Sequence, residues 1–298
     1  MQLFLLTALC MLFFSLNAIL CRLALITFGM EAFQYAAIRC LSGAGMLAFL
    51  CLCLSHRGKS VWKQVRENSS WHSALFLFLY MIFFSTAYVN MPSASGTLIQ
   101  NTAVQVSMIS WGVFQGMRPG KLQYVGLGLA FIGLAVLMSP GLSTPPLWNA
   151  VLMVGTGLMW GCYSVCGRSA ASAQLATAGN FLRASCLGLI ALVVAIGYEH
   201  VPSLPAVGCA IASGAVTSAL GYMLWYSLVP RYSVMSASII QLSVPPLTAF
   251  LGFLVLGEQI TLRLIFCTSI ILTGIFLTLK KSASSMPVKT TKPMELCR

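Results

Sequence analysis

Residues 71–115 read WHSALFLFLYMIFFSTAYVNMPSASGTLIQNTAVQVSMISWGVFQ, a run of about 45 residues without one Asp, Glu, Lys or Arg. At 1.5 Å per residue a single helix of that length would measure about 68 Å, more than twice the roughly 30 Å hydrocarbon core of a bilayer. The run must therefore turn back once. Asn90-Met91-Pro92 is the place, because proline suits a turn or the first position of a helix. Two spans result, 71–90 and 93–115.

Outward from this pair, apolar segments bounded by charge, Pro or Gly run over 2–21, 33–54, 121–139, 147–166, 179–198, 205–227, 235–256 and 262–279. The sequence thus predicts an all-α membrane protein of ten transmembrane helices. Composition agrees. The 298 residues are 58% hydrophobic and 7% charged, where a soluble domain carries about 25% charged residues. A mean hydropathy of +0.89 is more apolar surface than a core can hide, so outward-facing positions meet hydrocarbon. The formal charge of +12 does not mark a nucleic-acid protein, since Lys and Arg lie between apolar segments and not on one face. Residues 3–20 are apolar, but no Lys or Arg precedes them and Leu20-Cys21 is no cleavage pattern, so they read as the first span and not a signal peptide. Of the 17 Lys and Arg, all but Arg22, Arg39 and Arg263 fall on one side if the N-terminus is inside. That bias predicts a multi-pass protein of a cell membrane, such as the bacterial inner membrane, with both termini cytoplasmic. Cys10, Cys51, Cys53, Cys186 and Cys209 are scattered through apolar runs and read as packing; no metal or cofactor is expected.

The chain also repeats itself. At an offset of about 141 residues Ser95 aligns with Ser236, Gln100 with Gln241, Gly116 with Gly257 and Gly133 with Gly274; upstream, Arg39 matches Arg183 and Arg22 matches Arg168. Five spans per copy make the copies enter the membrane in opposite orientations. The expected organisation is therefore two inverted five-helix repeats, 1–140 and 141–281, followed by a disordered basic cytoplasmic tail, 282–298.

An Arg early in the second helix of each half, and Leu256-Gly257-Glu258-Gln259-Ile260-Thr261 followed by Thr273-Gly274-Ile275, resemble the drug/metabolite transporter superfamily of EamA type. The first half departs from the pattern, with Gly116-Met117-Arg118-Pro119 where members often have Gly-Glu. The resemblance spans nearly all of residues 3–280. It implies a ten-helix transporter with a central cavity lined by the first, third, fourth, sixth, eighth and ninth spans.

Polar and aromatic residues in these spans are the candidate substrate contacts, because a polar group in hydrocarbon must pair or face a cavity. On the fourth span Thr97, Asn101 and Gln105 share a face and Gln100 turns to the next; on the ninth, Gln241 is the repeat partner of Gln100, and the two are expected to meet. Tyr80, Phe84 and Tyr88, then Trp160 and Tyr163, then Tyr222, Trp225 and Tyr226 form stripes at helical spacing, and Asn17 adds an amide. Pro245-Pro246 removes two backbone donors within the ninth span and is a candidate hinge. Gly112–Gly116 and Gly157–Gly161 fit close helix packing. Arg39 and Arg183 lie near helix ends, where the ordinary roles are snorkelling to headgroups or capping carbonyls. Glu258 is expected to cap backbone donors or pair with Arg263.

These features predict a transporter of small organic metabolites, most simply amino acids or related neutral and zwitterionic solutes, exported by alternating access. The partners are the small-molecule substrate and the lipid bilayer, with no nucleic acid. The chain holds no Asp, and Glu31, Glu67, Glu199, Glu258 and Glu295 fall in loops, helix ends or the tail. No mid-membrane carboxylate is available for a proton relay, which favours facilitated or exchange transport. A second reading takes an anionic or nucleotide-linked metabolite bound by Arg39 or Arg183. A membrane-embedded enzyme lacks parts, since His56, His72 and His200 all lie near loops; the chain reads as a non-enzyme.

Overall fold

The computed structural model describes residues 2–54, 61–116, 121–138, 145–196, 201–232, 237 and 240–280. The readings of Arg118, Ser236, Glu199, His56, His200 and the tail 282–298 fall outside them. Among the described residues the fold is all helical, without a strand.

Helix α1 (Gln2–Arg22) runs on through a π-helical stretch, Leu23–Thr27. Then come α2 (Ala32–Leu54), the short α3 (Val61–Glu67), α4 (Trp71–Tyr88), α5 (Ser93–Phe114), α6 (Lys121–Met138), α7 (Leu147–Gly167) and α8 (Ala173–Ile196). The run Leu204–Arg231 is composite: α9 (Leu204–Ile211), a second π stretch (Ala212–Leu220), α10 (Gly221–Leu228) and a 3-10 turn (Val229–Arg231). A further 3-10 turn, Gln241–Ser243, leads into α11 (Val244–Leu256), and α12 (Leu262–Lys280) follows.

The boundaries have local causes. Ser70 caps α4, its hydroxyl accepting from the Ser73 N–H at 3.1 Å. Pro92 sits just before α5 and Pro146 just before α7, and Pro205 and Pro245 lie in the first turns of α9 and α11, where a missing N–H leaves no bond unmade. The turn read at Asn90-Met91-Pro92 is thus where α4 gives way to α5. Gly257 ends α11 in the left-handed conformation (φ 65°), and the N–H of Glu258 turns back to the Gly252 carbonyl at 3.1 Å.

Among the described residues, six helical segments are long and apolar enough to cross a membrane: Gln2–Thr27, Ala32–Cys53, Trp71–Tyr88, Leu147–Gly167, Ala173–Val193 and Leu204–Arg231. Tyr124–Leu137, Gln241–Leu256 and Leu262–Gly274 are shorter apolar helices. Helix α5 has the length, 22 residues, but carries Thr97, Gln100, Asn101, Thr102 and Gln105. Large apolar side chains such as Phe4, Phe49, Phe114, Trp148, Val193 and Phe266 stand exposed around the bundle, where soluble helices would present charge.

Inside, α2 lies on α8, α6 on α12, and α7 on both α4 and α5, while α1 packs against α11, the second π stretch and α10. Small residues allow the closest approaches. A Cβ at Gly157 would strike Ala103 and the Gln100 carbonyl, one at Gly161 would strike Ser107, and one at Gly133 would lie 3.2 Å from the Cys267 carbonyl. Gly157–Gly161 is therefore a packing stripe. Gly116 is not part of one: it has φ 87°, nothing lies near it, and it serves the turn after α5.

Candidate functional site

Side chains from both halves of the chain converge on one buried cluster. Phe14 of α1 packs edge-on against Trp160 of α7 (ring centroids 5.2 Å apart) and against Tyr222 and Trp225 of α10 (5.9 and 5.8 Å). Trp160 meets Tyr222 at 4.6 Å, Tyr80 of α4 at 5.1 Å and Tyr163 at 5.6 Å. Tyr163 stacks on Tyr226 at 4.6 Å, and Tyr80 leads through Phe84 to Tyr88. Tyr80, Trp160, Tyr163, Tyr222 and Trp225 are all 3% exposed or less, so the cluster is closed in this structure.

Polar groups thread the aromatics. Asn17 Nδ2 donates to the hydroxyls of Tyr80 (3.4 Å) and Tyr222 (3.2 Å), and its Oδ1 accepts from Ser213 (2.6 Å) and Thr217 (3.3 Å). Trp160 Nε1 donates to Gln241 Oε1 at 2.7 Å, and Gln241 Nε2 lies 4.0 Å from the Met108 sulfur. Trp225 Nε1 donates to Ser164 at 3.0 Å. The first, third, fourth, sixth, eighth and ninth spans of the sequence reading thus all contribute: Asn17, Tyr80, Met108, Trp160, Tyr222 and Gln241. Several of these groups stand on irregular turns, Ser213 and Thr217 on the second π stretch and Gln241 on the 3-10 turn before α11. Such turns displace side chains from the α-helical face and recur at binding sites.

The centre holds a charge. Arg39, two turns into α2, is fully buried. Its Nε donates to Ser218 Oγ at 2.9 Å, its Nη2 to the hydroxyls of Tyr222 (2.5 Å) and Tyr80 (3.3 Å), and its guanidinium carbon lies 4.9 Å from the Phe84 ring centre. The expectation that Arg39 snorkels to headgroups is therefore corrected. Its side chain is wholly buried, and the hydroxyl and ring partners that hold it come from α4 and the Leu204–Arg231 run. Gly214 makes room: a Cβ there would strike the Arg39 carbonyl and Ser42, so only glycine lets the π stretch lie against α2 at this level. Arg183 behaves otherwise, donating to Ser69 Oγ and to the Arg66 carbonyl (3.2 Å) beside Trp71, and so fastens the α3–α4 connection to α8.

Of the sequence candidates, Asn17, Tyr80, Phe84, Tyr88, Trp160, Tyr163, Tyr222, Trp225 and Gln241 share the cluster. Gln100 and Asn101 do not join it. Gln100 is half-buried and does not bond Gln241, whose amide is taken by Trp160, and Asn101 donates to the Thr97 carbonyl of its own helix at 2.8 Å. Pro245 and Pro246 stand where the 3-10 turn becomes α11, and Ser15 of α1 donates to the Val244 carbonyl at 3.3 Å. Sequence reading left out Phe14, Ser213, Thr217 and Ser218; the hydroxyls look ordinary in an apolar run until the π turn aligns them.

Glu258 has a different partner from the one expected. It pairs with Arg22 (3.2 Å), not Arg263, and takes the Ser93 N–H (2.9 and 3.0 Å) and the Ser93 hydroxyl (2.5 Å). Arg22 also donates to the Tyr88 carbonyl at 2.9 Å, whereas Arg263 is turned to the Val136 carbonyl at 2.7 Å. One carboxylate thus ties together the end of α1, the α4–α5 turn and the α11–α12 loop. Capping was read correctly; the pairing failed because the spacing of Glu258 and Arg263 says nothing of Arg22, which folding brings from the far end of the chain.

The profile of the EamA-like transporter family matches residues 147–280. A protein of Pseudomonas aeruginosa, itself uncharacterized, is 40% identical over 275 residues, covering 92% of this chain and 93% of that one. The chain belongs to the EamA-like transporter family. An uncharacterized transporter of Archaeoglobus fulgidus is 23% identical over 213 residues, 68% of this chain and 74% of its own length. A "probable terminal-alkyne amino-acid exporter" of Streptantibioticus cattleyicolor is 26% identical over 183 residues, 60% of this chain and 61% of its own. Among solved structures, one crystal-structure chain superposes with a TM-score of 0.68 at 17% identity, covering 93% of this chain and 97% of that one. At that identity the likeness speaks for the fold alone. Family and apolar helices together make this EamA-like chain a multi-pass membrane protein.

Proposed function

We propose that this EamA-like protein moves small organic metabolites, amino acids or related zwitterions, across a cell membrane by alternating access around the Asn17–Trp160–Tyr222 cluster. The observation that carries the reading is the convergence of amide, hydroxyl and aromatic groups from five separate helical segments on one closed centre, the composition of a small-molecule site. The amino-acid class and the direction, export, draw on the Streptantibioticus cattleyicolor relative's name.

The mechanism needs ten spans in two inverted repeats, 1–140 and 141–281. Helix neighbours support this. Exchanging the halves turns the α1–α11 contact into α7–α5 and the α4–α8 contact into the contact of the α9–α10 run with α2, while α2–α8, α6–α12 and α5–α11 each map onto themselves. A pairing pattern closed under that exchange is what two-fold-related halves produce, and an odd number of spans in each half would set that axis in the membrane plane. With the N-terminus cytoplasmic, the Arg22–Glu258–Ser93 cluster lies on the outer side and the Arg183–Ser69 clasp on the inner side. The groups at the centre include no carboxylate, which fits facilitated or exchange transport.

The test is counterflow in proteoliposomes. Vesicles preloaded with an unlabelled amino acid should concentrate the same amino acid in radiolabelled form, L-phenylalanine first among those tried, with Trp160→Ala abolishing the uptake. Protein that exchanges no amino acid in that assay removes the substrate assignment.

A further inference from the structure

The cluster has more donors than acceptors. Arg39 offers five N–H groups, and those on Nη1 have no partner although the atom is buried. One turn earlier on the same face of α2, the Tyr35 hydroxyl is also buried, near Ser213 and Cys21 but without a hydrogen bond of normal geometry. Tyr80 and Tyr222 bond each other at 2.9 Å, but both oxygens already accept from Arg39 and Asn17. One hydroxyl hydrogen suffices for their mutual bond, so the second finds no acceptor in it. Arg22–Glu258 is the ion pair among the described residues, and no carboxylate answers Arg39.

A buried guanidinium without a counter-charge is strongly unfavourable unless something supplies the missing acceptor. Cation–π contact with Phe84 and Tyr80 compensates part of that. The remaining N–H groups call for an acceptor-only, singly negative group, which a carboxylate is. We propose that Arg39, with Tyr35 beside it, binds the carboxylate of the transported solute, and that Trp160, Phe14 and Tyr222 hold its flat apolar body. One positive charge balances one carboxylate; a phosphate dianion would leave a net negative charge in the bundle. This deepens the transporter reading and rests on it: the solute class becomes aromatic or apolar monocarboxylates, amino acids among them.

The experiment measures ligand-induced thermal stabilisation of the full chain in lipid nanodiscs. The probes are 3-phenylpropionate, its neutral amide, L-phenylalanine and phenyl phosphate. The wild type should be stabilised by 3-phenylpropionate and L-phenylalanine but not by the amide, with phenyl phosphate weaker than either. Arg39→Gln should weaken binding of the two carboxylates about tenfold to a hundredfold, the effect of losing charged hydrogen bonds. Tyr35→Phe removes one hydroxyl and keeps the ring, so it should fold normally and weaken the same probes about threefold to tenfold. An amide that stabilises as well as the acid would overturn anion recognition and leave the transporter reading standing. Phenyl phosphate binding more tightly than the carboxylates would overturn the proposal in favour of a phosphorylated solute. Wild-type affinity for 3-phenylpropionate in either variant would also overturn it, and a wild type insensitive to every probe would remove the solute site altogether.

Discussion

Trp160 is the residue on which the two halves of the cluster meet, and its indole N–H is its one polar link. Trp160→Phe keeps most of the packing but leaves Gln241 Oε1 buried without its 2.7 Å donor. An unsatisfied buried acceptor costs about 1–3 kcal/mol, so the thermal midpoint should fall. Adding Gln241→Leu should recover part of the loss, because the orphaned acceptor is then gone; a double variant no better than Trp160→Phe would refute the pairing. Residues such as Trp160, Asn17 and Tyr222 were legible in the sequence, since polar and aromatic groups at helical spacing in an apolar run need a reason. Arg39 was not. Its distance from the start of the span suits both snorkelling and burial, and the choice is made by Tyr80, Phe84, Ser218 and Tyr222, which arrive on other helices.

At the scale of the element, the composite run Leu204–Arg231 matters most. Its π stretch brings Ser213 and Thr217 to Asn17 and Ser218 to Arg39, and Gly214 lets it lie against α2. Gly214→Ala would drive a methyl into the Arg39 carbonyl, a backbone atom that cannot swing away, so expression and thermal midpoint should both drop sharply. Gly208→Ala, two turns earlier on α9 with open space around it, should be neutral or stabilise by up to about 1 kcal/mol. Equal behaviour of the two in a thermal unfolding assay would contradict the close approach. Hydropathy and Pro located the long helices well, α4 and α5 above all, but a shift from α to π winding changes no residue type and leaves no mark in an apolar pattern. The Glu258 junction makes a similar point. Glu258→Ala strips acceptors from Ser93 and Arg22, whereas Arg22→Ala leaves Glu258 its Ser93 bonds. Glu258→Ala should therefore be the more destabilising, and Arg22→Ala should cost less on top of it than alone, since only the Tyr88 carbonyl bond is then left to lose, as a double-mutant cycle would read.

For the molecule as a whole, the matches Gln100–Gln241 and Gly133–Gly274 keep one register along the sequence, the proposed repeat rests on them, and Gly133 lies where α6 meets α12. Matched positions nonetheless acquire different work: Gln241 binds Trp160 while Gln100 stays outside the cluster, and Arg39 is buried while Arg183 clasps a loop. If the two halves share a backbone path, as proposed, what packs against each side chain still decides its work. Alternating access requires the closed cluster to open toward each face in turn. The direct measurement uses Phe14→Cys in a background with the 11 native cysteines replaced, probed by a membrane-impermeant maleimide on right-side-out and on inverted vesicles. Phe14 touches Trp160, Tyr222 and Trp225, so its replacement reports on the cluster itself. The account predicts modification from both sides, slowed on both by L-phenylalanine; reaction from one side only, or from neither, would contradict it.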